Sequence, residues 1–144
     1  MKNVIAAAAL AALSAVGAHA EGATHHIAIH VDQNDPAVMN MALNNVANVA
    51  AFYKSQGDSA VIEVVAYGPG LNMYVAGKSP VADRIAAMSL EVEGLSFAAC
   101  GNTLRKMSEK AGQDVQLLEE AKVVPSGVVR LVELQQQGYS YIRP

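Results

Sequence analysis

"LSFAACGNTLRKM", residues 95–107, decides the fold. Its first six residues are a short apolar run and its last seven read as the opening of an amphipathic helix, with Gly101 at the joint. A strand that runs straight into a helix is half of a strand–helix–strand crossover, and the same alternation continues on both sides of it. Upstream, "HHIAIHV" (25–31) and "AVIEVVAY" (60–67) read as strands. Between them "DPAVMNMALNNVANVAAFYKSQG" (35–57) reads as a helix with Asp35 as N-cap, Pro36 at the first position and Gly57 at the stop. Met39, Leu43, Val46, Ala50 and Tyr53 form its apolar face. Ser79 and Pro80 open a second helix to about Leu90, and the intervening "GPGLNMYVAGK" (68–78) is expected to be a loop without regular structure. Downstream, Leu104, Met107 and Ala111 share one face of a third helix closed by Gly112. "EEAKVVP" (119–125) is a fourth strand, Ser126 caps a fourth helix, and "YSYIRP" (139–144) is a short last strand at an edge.

Strands separated by helices of this length pair in parallel, and apolar residues at both parities indicate cover on both faces. The expectation is a three-layer α/β sandwich of five mainly parallel strands in the order 2-1-3-4-5. That order puts a topological switch between the first and third strands, where ligands bind beyond the carboxyl ends. Cys100 ends the third strand.

The first twenty residues have the layout of a secretory signal: Lys2, an apolar run over 4–16, and Ala18-His19-Ala20 as a cleavage site. That run is too short for a membrane span. Cleavage leaves residues 21–144 as a single domain that buries roughly two thirds of its unfolded surface. Nine basic residues then face thirteen acidic ones, scattered rather than run together, which argues against nucleic acid as the partner. The expected compartment is the bacterial periplasm, where paired cysteines oxidise; this chain has one cysteine, so its thiol is either buried and inert or accessible and reactive.

Position favours reactivity without settling it. The N-terminus of a helix offers unpaired N–H groups and the positive end of the dipole, both of which stabilise a thiolate. The dipole alone contributes about 0.3 to 1 kcal/mol, so further donors or a cation are needed. Gly101 lets backbone amides approach, and Arg105 and Lys106 are the nearest cations in sequence. His30, near the carboxyl end of the first strand, is placed by the expected order to orient or deprotonate Cys100. His26 shares its strand face and His25 does not, so no metal site is expected from the three. Nor is a cofactor: "AYGPGLNMY" lacks phosphate-binding spacings, and "DQNDP" after the first strand is acidic. Gly68, Pro69 and Gly70 instead shape a fixed loop, with Leu71, Met73 and Tyr74 expected to cover the cysteine or meet a neighbouring subunit.

"IEVVAYGPGLNM", "FAACGNTL", "VVPSGVVRLVELQQQGYSYIRP" and "DQNDPAVMNMALNNVAN" together resemble the secreted branch of the DsrE/DsrF-like family over nearly the whole mature chain. The resemblance implies a flavodoxin-like fold, a homo-oligomer such as a trimer or hexamer, and sulfur carried as a persulfide on one cysteine. Cys100 and Arg105 match the family's cysteine and its basic residue about one turn later. On this reading Gly101, Asn102 and Thr103 supply donors, Arg105 the positive potential and the 68–74 segment, with Met73, a cover. The sulfur donor and acceptor are unassigned. Cytoplasmic relatives hand sulfur to partner proteins, a route closed to an exported domain. The alternatives are an oligomeric scaffold without thiol chemistry and a single-cysteine redox sensor.

Overall fold

The computed structural model describes residues 22–144, so the expected signal segment lies outside the described residues. Five strands form one sheet: β1 (Thr24–Val31), β2 (Ser59–Ala66), β3 (Leu95–Cys100), β4 (Ala121–Val124) and β5 (Ser140–Ile142). The helices are α1 (Pro36–Ser55), α2 (Ala82–Glu91), α3 (Gly101–Ala111) and α4 (Gly127–Gln136). Every pairing is parallel, and the order is β4-β3-β2-β1-β5.

The layered α/β class and the five parallel strands are those expected. The order departs from 2-1-3-4-5 in two pairings: β3 lies against β2 rather than β1, and β5 lies against β1 rather than β4. The handedness of the crossovers then assigns each helix to a face. The first three crossovers step the same way across the sheet and put α1, α2 and α3 on one face. Only the last crossover returns to the free edge of β1, which puts α4 on the other. The packing agrees: Ile29, Val64 and Phe97 meet Met39, Leu43 and Ile85 in one cluster, whereas Ala28, Val65 and Ala98 meet Leu131 and Leu134 in a second.

α1 begins where its sequence says. The Asp35 carboxylate accepts from the Ala37 N–H at 2.8 Å, Pro36 takes the first helical position, and Gly57 leaves with φ of 80°. α2 starts three residues later than Ser79, because the Ser79 hydroxyl turns back to donate to the Met73 carbonyl. α3 runs on from β3 without a break and ends at Gly112 in the left-handed region.

Residues 68–74, expected to be irregular, form a 3-10 helix. Its glycines and proline give the wrong local signal because spacing overrides them: Leu71 and Tyr74, three apart, stack on one side at three residues per turn. Leu71, Met73 and Tyr74 are fully buried in the α1/α2-side core, and the Tyr74 hydroxyl donates to the Val64 carbonyl at 2.7 Å. They therefore neither cover the cysteine nor stand free for a second subunit. Gly70 is buried against the backbone of Val31, where no side chain fits.

The α4 face is thinly covered and carries the buried polar groups. Glu63, 8% exposed in the middle of β2, takes both ends of the Arg130 guanidinium at 2.7 Å. This fork ties α4 to the sheet one turn from its start.

Candidate functional site at the β3–α3 joint

Alternation along β3 sends Ala98 and Cys100 to the α4 face. Cys100 is 5% exposed, so the thiol is nearly enclosed. It is not enclosed by hydrocarbon alone. Two helices begin beside it: α3 at Gly101 and α4 at Gly127. Gly127 makes the second approach possible, since a Cβ there would stand 3.1 Å from the Cys100 Cβ and 3.0 Å from the Tyr67 Cβ.

The sulfur closes no capping hydrogen bond onto α3 in this structure, yet donors surround it. Burial pushes the thiol's pKa up. The Thr103 hydroxyl, then the backbone N–H groups of Gly127, Thr103 and Asn102, favour the thiolate and outweigh burial, leaving the pKa below the ordinary cysteine value. Thr103 is itself fixed, because its hydroxyl oxygen accepts from the Gly68 N–H at 2.9 Å. The 68–70 segment thus supports the site through Thr103. Gly101 fits against the Val124 carbonyl, 2.9 Å from where its Cβ would be.

Of the residues singled out in the sequence, Cys100, Gly101, Asn102, Thr103 and Gly68 come together here. Arg105 turns outward: its guanidinium donates to the Asn102 side chain at 3.2 Å and pairs with Glu109 at 3.6 Å, with over half of its side chain exposed. The electropositive environment comes from helix termini and not from that cation. Met73 packs in the opposite core, Gly70 lies against the Val31 backbone, and Pro69 lines a cleft with Gly68 and Thr103.

His30 is also elsewhere. With β2 between β1 and β3, it stands level with Ala98 and two strands away, roughly 10 Å across the sheet. It is 3% exposed, shares a 2.7 Å hydrogen bond through Nδ1 with the Tyr141 hydroxyl, and lies 4.4 Å from the Tyr67 ring. Burial, opposed by Asp32 and reinforced by Arg143, holds its pKa below the usual value and keeps the imidazole neutral near pH 7. His25 pairs instead with Asp58 at 2.8 Å and stacks on Tyr53, and among the described residues no group of three potential ligands could hold a metal.

Sequence reasoning misses the Gly127 amide and the Glu63–Arg130 fork. Ser126-Gly127 reads only as a helix start, and the single charge inside "AVIEVVAY" is the available signal for the second.

No protein of curated function matches the chain. A solved structure of a protein of unknown function from Methanobacterium thermoautotrophicum is similar at 33% identity, with a TM-score of 0.68 over 85% of this chain and 99% of that one. The model of the DsrE/DsrF-like family matches residues 6–144. A five-stranded parallel sheet, a structural relative covered almost end to end and a family match over nearly the whole sequence agree, and the chain belongs to the DsrE/DsrF-like family, a family linked to sulfur metabolism.

Proposed function

We propose that the protein is an exported sulfur carrier whose Cys100 thiolate accepts sulfane sulfur, holds it as a persulfide and passes it on by exchange. The carrying observation is the convergence of two helix N-termini and the Thr103 hydroxyl on one nearly buried sulfur. Such an environment lowers the thiol's pKa and can hold the charge one atom further out on a persulfide. At 5% exposure the sulfur admits small sulfane species more readily than a protein disulfide.

Intact-mass spectrometry tests the reading. Inorganic polysulfide is expected to add one sulfur to the wild-type protein, removable by dithiothreitol and absent from Cys100→Ser. An equal adduct on Cys100→Ser, or none on the wild type, overturns it. The same measurement on protein isolated from its host tests export: the chain is expected to begin at Glu21, and a persistent Met1 form rules export out.

We also infer that copies of the chain associate through α4. Val128, Val129 and Val132 are about half exposed, and Val132 lies four and three residues from the adjacent pair, an apolar stripe on the outer side of the helix. Light scattering is expected to find an oligomer that Val128→Asp/Val132→Asp dissociates; a monomeric wild type would refute the association.

A further inference from the structure

Beside Thr103, whose hydroxyl reaches the Cys100 sulfur, a cleft of about 670 Å³ lies between the 68–72 segment and α3. Its size is that of a small-molecule site, about 300 to 1,000 Å³, and an inorganic sulfur anion would leave most of it empty. Lys78, Lys106 and Lys110 line it, all exposed. None of them takes part in an ion pair among the described residues, although the chain as a whole is acidic. Lys106 and Lys110, four apart, share one side of α3, and Lys78 comes from a separate segment. Met107 and Val115 give the cleft an apolar floor. Three ammonium groups without an ion-pair partner among the described residues, around an apolar floor, suit an organic molecule that bears more than one carboxylate.

Resting on the carrier reading, we propose that this cleft binds the carrier's exchange partner: a small organic thiol, or its persulfide, that bears two carboxylates, the chemical class of glutathione. The lysines hold the carboxylates. The sulfur end lies at Thr103, the lining residue whose hydroxyl also faces Cys100. In loading, the Cys100 thiolate attacks the outer sulfur of R–S–S–H and a new S–S bond forms on Cys100. The donor's S–S bond breaks, and its electron pair leaves on R–S⁻, which takes up the proton carried by the donor. The reverse step returns sulfur to a bound thiol. No outside oxidant or reductant is required.

S-methylglutathione, which cannot exchange sulfur, is the probe, and calorimetric titration at low ionic strength is the measurement. Saturable one-to-one binding is expected on wild-type and Cys100→Ser protein alike. Lys78→Gln and Lys106→Gln are each expected to weaken it about fivefold, and the pair together by more than either. Absence of saturable binding, undiminished binding in the lysine variants, or equal displacement by sodium sulfate at matched ionic strength would each overturn the site, the last by reducing it to a screened basic surface. The two readings fail separately. Polysulfide that does not load wild-type protein removes the carrier, whereas the Cys100→Ser isotherm decides the cleft without any thiol chemistry.

Discussion

Arg130→Met is expected to destabilise the fold by about 3 kcal/mol, lowering the unfolding midpoint by about 10 °C. The guanidinium makes two 2.7 Å hydrogen bonds to Glu63, whose side chain is 11% exposed in the centre of the sheet. Removing it strands a nearly buried carboxylate on the central strand, between its cross-strand neighbours Ala28 and Ser96. Arg130 is more open at 28%, and Glu133 lies 3.6 Å from it, so the lower end of the range for broken buried pairs applies. Removing both charges should cost far less: Glu63→Leu/Arg130→Met is expected to recover most of the loss, because the desolvation of two ions disappears with their attraction. Thermal and urea unfolding of the two single variants and the double complete the cycle. An Arg130→Met protein as stable as wild type would mean that water reaches Glu63, and that packing alone holds α4.

Element positions are largely legible in the sequence because their signals are local. Asp35, Pro36 and Gly57 bound α1 by capping chemistry that needs no knowledge of the rest of the chain, and "FAACGN" announces a strand-to-helix joint in six residues. Strand order is not legible, for a physical reason. β1, β2 and β3 are apolar at both parities, so the pattern does not say which face each helix covers, and a crossover of α1's length reaches either neighbour. The consequence falls on His30: one inserted strand separates it from the thiol it was expected to serve. Arg105 fails differently. Its sequence distance from Cys100 suggests proximity, but Glu109, one helical turn further on, competes for the guanidinium in solvent. The donor that helical spacing could not reveal is Gly127, twenty-seven residues beyond the cysteine and brought back only by the β4 crossover.

That donor sets the second large effect. Gly127→Ala is expected to slow alkylation of Cys100 by iodoacetamide at pH 7 about fivefold, roughly 1 kcal/mol, which is less than a whole hydrogen bond to a charged group because the donor is displaced rather than removed. The new methyl would stand 3.0 to 3.1 Å from Tyr67 and from the Cys100 Cβ. The Cβ atoms of Tyr67 and Cys100 are both held by their own backbone, so the start of α4 must back away by a few tenths of an ångström and take its N–H with it. The sign follows from the balance at the sulfur. Burial already opposes the thiolate, and each donor withdrawn moves titration to higher pH, so the loss is largest below neutrality and vanishes where the thiol is fully ionised in both proteins. A rate difference that closes as pH rises therefore separates lost charge stabilisation from mere obstruction, which would persist at high pH. Thr103→Val removes a different donor and should slow the reaction in the same pH-dependent way, while Gln136→Ala at the exposed end of α4 should not. If Gly127→Ala reacts as fast as wild type while Thr103→Val is slow, α4 contributes packing only and a single helix terminus supports the anion.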